Sequence, residues 1–121
     1  MKIYVSSKIK HAEFWRGWRD NGINIISTWI DEDENVENHE DLAIRCIKES
    51  AEADITVVYV DEGDVLKGAL IEVGSALSHD KQVWIVRNKN SDTNFKKTFL
   101  SHPMVTEFDS IQDIYNKLRN L

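Results

Sequence analysis

The chain has 121 residues, of which 41% are hydrophobic and 30% are charged, and its formal net charge is −6. This length suffices for one hydrophobic core but not for two, so a single domain over residues 1–121 is expected. The charge is uneven, because residues 31–41 hold seven acids and no Lys or Arg, which leaves the other 110 residues at +1.

This composition excludes several classes of protein. Without a basic stripe, the chain is not expected to bind DNA or RNA, and no apolar stretch approaches the ~20 residues that span a bilayer. A lone cysteine, Cys46, excludes an internal disulfide, and no Cys/His pair has zinc-ligand spacing. Because the first residues enter a strand pattern instead of the apolar segment of a signal peptide, a cytoplasmic setting is expected.

Strand and helix patterns alternate in the first half of the chain. Residues 2–5 predict a first strand, 11–21 a helix, 23–26 a second strand and 39–53 a second helix. The predicted inward faces of the two helices are Phe14, Trp15 and Trp18, then Ala43, Cys46 and Ile47. The acidic loop 31–41 begins like a calcium-binding loop but has Val36 and Leu42 where glycine and glutamate are needed, so no metal site is expected.

The alternation continues in the second half. Residues 55–60 are a β-branched run without polar alternation, typical of a strand buried on both faces. A helix from residue 68 to about residue 79, a strand at 83–86, a short strand at 105–108 and a helix capped by Ser110 follow. The last helix is predicted to bury four residues, Ile111, Ile114, Tyr115 and Leu118.

This order of elements predicts an α/β fold. Alternating strands and helices imply a parallel sheet with helices on both faces. For five strands we expect a flavodoxin- or Rossmann-like three-layer sandwich with strand order 2-1-3-4-5, whose ligands bind at the carboxyl ends of the strands. The residues expected at that edge of the sheet are 6–8, 28–31, 61–68 and 87–88.

Glu72 is a single carboxylate within the apolar run 68–77. On a helix with 100° per residue it shares a polar stripe with Ser75 and His79, beside the inward apolar face. That face comprises Ala69, Val73, Ala76 and Leu77, with Leu70 at its edge. Glu72 is therefore predicted to project into the space beyond the preceding strand; the alternative is a surface glutamate near a helix N-terminus.

Residue types at the predicted edge narrow the chemistry. A receiver domain needs an acidic pair after strand one, where this chain has Ser6 and Ser7. The loop SSKIK (6–10) is too bulky and lacks the glycine that flavin- and dinucleotide-binding loops need, and no Gly-x-Ser-x-Gly elbow is present. A carboxylate with hydroxyls, amides and an aromatic ring nearby suits cleavage at an anomeric carbon. Ser6, Ser7 and the amides of residues 68–69 are candidates to hold ribose hydroxyls or a 5′-phosphate, and Trp29 or Trp15 to stack on a base.

The sequence also resembles the nucleoside 2-deoxyribosyltransferase superfamily, and most closely its small phage and bacterial branch. The resemblance covers about the first 87 residues, through KIYVSSK (2–8), HAEFWR (11–16), IISTWID (25–31), Ala53-Asp54 and LKGALIEVGSA (66–76), and returns weakly at His102-Pro103. It implies that Glu72, within a Gly-x-x-x-Glu-x-Gly-x-Ala pattern, is the nucleophile that attacks C1′, that Gly68 is an amide contact, and that Ser6 and Ser7 meet the sugar or phosphate. It also implies a homo-oligomer whose neighbours complete each other's sites.

The chain departs from the superfamily pattern where aspartates are expected. Leu66 stands six residues before Glu72, where transferases commonly carry an aspartate. A second aspartate, early in the helix before the third predicted strand, has no matching residue, and Asp41 is the nearest candidate. Asp61 or Asp64 are candidates to substitute.

Three functional hypotheses follow. The first is N-glycosidic cleavage or transfer on a nucleoside or nucleoside 5′-monophosphate, without metal or cofactor. Its predicted contacts, besides Glu72 and the Ser6-Ser7 loop, are Gly68, Ala69 and Ser75 for substrate, Trp29 and Asp31 for the base, and Asp61 or His79 for proton transfer. The second is a non-catalytic nucleotide-binding module in phage–host conflict, and the third an NAD-cleaving domain of the TIR type. Phe95 and Phe99 are predicted to form an interface or a lid.

Overall fold

The structure is a computed structural model that describes residues 1–32, 37–65, 67–88 and 99–121. Leu66, Phe95 and the middle of the acidic loop, which figured in the predictions, lie outside these ranges. The helices and strands are, in order, β1 (Ile3–Ser6), α1 (Ala12–Asp20), α2 (His39–Glu52), β2 (Ile55–Val60), α3 (Gly68–Ser78), β3 (Gln82–Arg87), β4 (Val105–Phe108) and α4 (Ile111–Arg119). In the described ranges no helix is both long and apolar enough to cross a membrane.

The sheet has four parallel strands in the order β1-β2-β3-β4 among the described residues. The prediction of an α/β fold with a parallel sheet is confirmed; the prediction of five strands is wrong, and the order 2-1-3-4-5 is not confirmed. The predicted second strand, 23–26, makes one isolated parallel bridge, between Ile3 and Ile25. The pairing stops there because the next N–H on the same edge of β1, that of Val5, donates to the hydroxyl of Ser27 at 2.7 Å instead of to a carbonyl.

One face of the sheet, the α1/α4 face, is apolar and rich in aromatic rings. It packs Trp15 and Trp18 of α1 and Ile114 and Leu118 of α4 against the sheet. Its strand residues are Ile3, Val5, Ile55, Val57, Trp84 and Val86. The inward positions predicted for Trp15 and Trp18 of α1 and for Ile114 and Leu118 of α4 are confirmed, and Ile111 and Tyr115 are partly buried against the same core. The prediction for Phe14 is wrong, because its ring is 42% exposed.

The opposite face, the α2/α3 face, is covered by α2 and α3. Val73 and Ala76 of α3 pack on the aliphatic strand residues Val58, Val60, Val83 and Ile85. Next to this aliphatic cluster, β1 and the start of β2 carry hydroxyl-bearing side chains on the same face: Tyr4, Ser6 and Thr56, of which the register pairs Tyr4 with Thr56. Because β2 is buried on both faces, its sequence, ITVVYV, shows no alternation of polar and apolar residues, and five of its six residues are β-branched.

Helix α2 is rotated relative to the prediction. Cys46 faces inward as expected, but Ala43 and Ile47 are exposed, and Leu42 packs against the core instead. Helix α2 packs against α3 and against the 3-10 turn at Thr28–Asp31. Arg45 occupies the side facing that turn, and Ile47 is turned outward.

Candidate functional site

Two clefts meet at Glu72, at the end of the sheet where the parallel strands finish. The first, here called the lysine cleft, has a volume of about 240 Å³. The second, the tryptophan cleft, has a volume of about 190 Å³. Both are lined by Ser6, Ser7, Ile9 and Glu72. The residues that line only the lysine cleft include Lys8, Tyr59, Asp64, Lys67, Gly68 and Ala69; those that line only the tryptophan cleft are Trp29, Glu32, Leu42 and Cys46.

The carboxyl group of Glu72 is largely buried and ionises near neutrality. Burial raises its pKa to about 7; hydrogen bonding from the Tyr4 and Ser6 hydroxyls acts in the opposite direction, and the charge of Glu49 adds to the rise. Its Oε2 atom is buried without a partner of standard hydrogen-bond geometry among the described residues. A buried carboxylate oxygen without a partner costs stability, so its position at the junction of two clefts points to chemistry.

Tyr4 is a site residue that the sequence reasoning missed. Its side chain is fully buried, and burial, followed by the charge of Glu72, raises the pKa of its phenol far above the usual range. It therefore stays a neutral donor next to Glu72 and Cys46. Its Oη, like Glu72 Oε2, lacks a partner of standard geometry in the part of the chain described here. The available signal was a hydroxyl-bearing residue inside an otherwise apolar strand.

The serines after β1 lie at the junction of the clefts. Ser6 is 3% exposed and close enough to hydrogen-bond with Glu72. Ser7 accepts a hydrogen bond from Trp15 Nε1 at 2.8 Å and donates to the Lys8 carbonyl at 3.1 Å. Trp15 is fully buried in the core and lines neither cleft, so it is a structural anchor for the Ser7 loop.

Trp29 lines the tryptophan cleft, where the sequence placed a base contact. Its indole Nε1 donates to the Val5 carbonyl at 2.7 Å, which fixes the ring at the end of β1. The residue is 8% exposed, so only a small part of the ring is accessible from the cleft.

The lysine cleft combines cations, backbone amides and, besides Glu72, a second buried carboxylate, that of Asp64. Gly68 and Ala69 begin α3 at its wall, next to Lys67. Burial by itself would raise the pKa of Asp64, but the Asp61 N–H at 3.1 Å and the Lys10 ammonium at 3.3 Å hold that pKa below its usual range. Asp64 is therefore ionised at neutral pH and acts as an anion in the cleft wall, not as a proton donor.

Four residues predicted at the site lie off both clefts. Asp31 forms a bidentate ion pair with Arg19, at 2.8 and 2.9 Å. Ser75 donates to the Ile47 carbonyl at 3.0 Å, and His79 is bound to the Ser75 carbonyl at 2.8 Å through Nδ1. The fourth, Asp61, accepts from the Glu62 N–H through its side chain, at 2.8 Å.

Glu32 is a second cleft residue that the sequence reasoning missed. It lines the tryptophan cleft, and its Oε1 accepts from Arg45 Nη2 at 2.7 Å. The sequence treated it as part of a solvated acidic loop, and no local pattern separates it from its neighbour Asp31. In the described ranges no three His, Cys, Asp or Glu side chains are grouped in a way that could hold a metal ion.

Comparison with solved structures identifies the fold. No protein-family model and no curated protein matches the sequence. The structure of a CMP N-glycosidase from Clostridium botulinum, BcmB, superposes with a TM-score of 0.62 at 14% identity and covers 100% of both chains. A 2-deoxyribosyltransferase from Bacillus psychrosaccharolyticus gives a TM-score of 0.70 at 20% identity, over 96% of this chain and 91% of the other. The chain thus has the nucleoside 2-deoxyribosyltransferase-like fold that its sequence resembles.

Proposed function

We propose that this protein cleaves or transfers the N-glycosidic bond of a nucleoside or nucleoside 5′-monophosphate, with Glu72 as the nucleophile. The observation that carries the proposal is the largely buried Glu72 carboxyl, which has an unpartnered oxygen at the junction of two clefts. The fold shared with an N-glycosidase and a deoxyribosyltransferase supports it.

The chemistry requires only the carboxylate and a second nucleophile. Glu72 attacks C1′ of the sugar, the C1′–N bond breaks, and the base leaves with the electron pair and takes a proton. Water or a second base then attacks C1′ of the glycosyl ester and releases the carboxylate. Asp61 and His79, predicted to assist proton transfer, lie off both clefts. In this mechanism the departing base therefore takes its proton from water.

The two clefts divide the substrate between them. We assign the sugar hydroxyls or 5′-phosphate to the lysine cleft, because Lys8, Lys67 and the first amides of α3 offer positive charge and donors. The base is assigned to the tryptophan cleft, whose wall is mainly apolar and aromatic. Ser6, which lines both clefts, is assigned to the sugar between them.

The experiment measures release of free base from a panel of ribo- and deoxyribonucleosides and their 5′-monophosphates. Glu72→Gln and Glu72→Ala are expected to keep the fold and lower kcat/KM by roughly a thousandfold or more, as when a nucleophile is removed. Glu52→Gln, an exposed glutamate on α2, is the matched control and should retain activity. Full activity in both Glu72 variants would end the proposal.

Binding without turnover is the second candidate. The observation that favours it is the ionised state of Asp64, which leaves this cleft-lining carboxylate without a proton to give to a departing base. Calorimetry followed by mass spectrometry on the same sample separates the candidates: recovery of an intact bound nucleotide indicates a binding module, and release of base indicates the enzyme. A parallel incubation with NAD, assayed for nicotinamide, tests the TIR-type alternative.

We also propose that the chain assembles as a homo-oligomer through the outer faces of α2 and α3. These faces carry four exposed aliphatic side chains, Ile44, Ile47, Leu70 and Ile71, with exposures of 59%, 43%, 46% and 62%. Apolar groups clustered on neighbouring helices typically mark an interface. Sedimentation analysis should find a dimer or larger particle that Ile71→Glu dissociates, whereas a monomeric wild-type chain contradicts this assembly.

A further inference from the structure

The wall of the tryptophan cleft is mostly apolar and carries two carboxylates, Glu32 and Glu72. Its wall consists of Ile9, Trp29, Leu42 and Cys46, which are apolar or weakly polar, together with Ser6 and Ser7. Besides Glu72, Glu32 is the only charged side chain among the described residues that line it. A planar heterocycle bound there therefore has Glu32 as its principal hydrogen-bonding partner away from the reacting carbon.

Glu32 is held in place by Arg45. The guanidinium donates to Glu32 Oε1 at 2.7 Å, to Asp41 Oδ2 at 2.8 Å and to the Thr28 hydroxyl at 2.6 Å. Arg45 is the single described hydrogen-bond partner of the Glu32 carboxylate, and it engages one oxygen. Within the described ranges the second oxygen has no hydrogen-bond partner, so the side chain, which lines the cleft, can accept from a ligand donor. A carboxylate that is already fixed loses little freedom when it binds.

The charge around Arg45 is negative in sum. Asp41 and Glu32 contact the guanidinium directly. Glu49 is linked to it through Thr28, whose hydroxyl accepts from Arg45 and donates to the Glu49 carboxylate at 2.8 Å. Three carboxylates surround one cation, so the net field at this end of the cleft favours positive charge and hydrogen-bond donors. A carbonyl oxygen facing Glu32 would be repelled.

We infer that Glu32 makes the site selective for bases with an amino group opposite the glycosidic nitrogen, as in cytosine and adenine, over their oxo counterparts, uracil and hypoxanthine. This inference rests on the proposed function and deepens it by naming the substrate class. The amino group donates to Glu32, whereas the oxo group places an acceptor against a carboxylate. A site built around a buried or fixed polar partner discriminates strongly against a ligand that leaves it unpaired.

The test compares cytidine with uridine and adenosine with inosine, each as nucleoside and 5′-monophosphate. The members of each pair differ at this group and at the adjacent ring nitrogen, which is an acceptor in the amino base and an N–H donor in the oxo base; N3-methyluridine and N1-methylinosine, which lack that N–H, are included as controls and should be disfavoured at least as strongly as uridine and inosine. Wild-type kcat/KM is expected to favour the amino member by roughly tenfold or more. Glu32→Gln should bring that ratio close to one, because an amide donates to the oxo group as well as it accepts from the amino group. Asp31→Asn is the matched control: its carboxylate is adjacent in sequence but is paired with Arg19 outside the cleft, so the ratio should be unchanged.

A binding measurement separates this inference from the proposed function. Calorimetric titration of Glu72→Gln with cytidine and uridine 5′-monophosphates reports the preference without turnover. If the wild type releases no base but the amino ligand binds more tightly and Glu32→Gln removes that preference, the selectivity holds and the enzymatic proposal fails. An equal response to both members of each pair, or a preference that Glu32→Gln leaves intact, overturns the inference.

Discussion

The two faces of the sheet differ in whether their buried polar atoms have hydrogen-bond partners. On the α1/α4 face, the indole N–H groups of Trp15 and Trp84 have partners: that of Trp15 donates to Ser7 and that of Trp84 to Gln82. The buried atom without a partner of standard geometry on this side, among the described residues, is His11 Nε2, beside Tyr59 of the lysine cleft. On the α2/α3 face, Tyr4 Oη, Thr56 Oγ1 and Glu72 Oε2 are buried without a partner of standard geometry in the described ranges. The register puts Tyr4 and Thr56 side by side on that face.

This difference indicates a division of labour within one small domain. The apolar face contributes stability through burial of large side chains, at about 25 cal/mol per Å² of apolar surface. Each unpaired polar atom on the other face costs about 1–3 kcal/mol. The unpaired polar atoms, and their cost in stability, lie near the clefts. The α1/α4 face therefore stabilises the fold, and the α2/α3 face holds the groups proposed to react.

The largest expected effect is loss of a ring from the stabilising face. Trp15 is fully buried and contacts the rings of Phe14, Trp18 and Tyr59. Trp15→Ala should lower the free energy of unfolding by roughly 3–5 kcal/mol, because a large cavity replaces the indole. Urea denaturation measures this, with Phe14→Ala, a 42% exposed ring on the same helix, as the milder comparison. Equal losses in the two variants would contradict the claim that burial of the Trp15 ring is what makes this face stabilising.

Glu72→Gln should act in the opposite direction on stability, and only at higher pH. At pH 4 the carboxyl is protonated in both the folded and unfolded chain. Between its ordinary value of 4.5 and its folded pKa of about 7, the unfolded chain loses the proton first, so folding is progressively penalised. Above pH 7 the penalty is complete, at roughly 3 kcal/mol from 1.36 kcal/mol per pKa unit. Glu72→Gln should therefore raise Tm at pH 8 and leave it unchanged at pH 4.

A control isolates the burial of Glu72. Glu52, an exposed glutamate paired with Lys48 at 4.0 Å, is the matched site for the same substitution. Glu52→Gln should give no comparable change in Tm between pH 4 and pH 8. Matching pH dependence in both variants would show that the effect belongs to the overall charge and not to the α2/α3 face.

The activity of the wild type should depend on pH through the same carboxyl. Since the nucleophile must be ionised, kcat/KM is expected to rise about tenfold per pH unit below pH 7 and to level off above it. Hydrogen bonding from Tyr4 lowers the pKa of Glu72, so Tyr4→Phe should move the midpoint to higher pH. A flat profile between pH 5 and pH 8 argues against Glu72 as the ionising group.

The smallest expected effect is on the stability of the Tyr4→Phe protein. Removing a fully buried hydroxyl without a partner of standard geometry should raise the free energy of unfolding by about 1 kcal/mol. The measurement belongs at pH 5, where Glu72 is mainly protonated and does not need the phenol as a donor to its charge. A loss of stability would show that the hydroxyl is satisfied in solution and that the two faces differ less than proposed.

Local patterns in the sequence were enough to predict most elements. The β-branched run at 55–60 coincides with β2, and the cap at Ser110 is present, with its hydroxyl accepting from the Asp113 N–H at 3.1 Å. The periodicity of α3 placed Val73 and Ala76 in the core, as observed. These features depend on residues only a few positions apart in the chain. Hydrophobic periodicity and capping motifs describe interactions over that distance, so they predicted these features.

The strand predicted at 23–26 shows what local sequence patterns could not predict, namely whether an apolar segment pairs with the sheet. An apolar segment predicts a strand, but whether it pairs depends on what the neighbouring strand offers. Here the Ser27 hydroxyl takes the N–H of Val5, and the segment is left with one bridge. The helix predicted at 39–53 is present, and Cys46 faces inward as expected, but the inward placement of Ala43 and Ile47 was wrong for the same kind of reason. The orientation of Ile47 depends on how α2 packs against α3 and the turn at Thr28–Asp31.

By itself, the sequence determined the alternating parallel α/β architecture, the position of Glu72 one turn into α3, and the resemblance to a superfamily whose fold the structure shares. The tertiary structure alone brought Tyr4 next to Glu72, turned Glu32 into a cleft and paired Asp31 with Arg19 outside it. Adjacent residues such as Asp31 and Glu32 have equivalent local sequence, so only their partners elsewhere, Arg19 and Arg45, decide which one reaches the site.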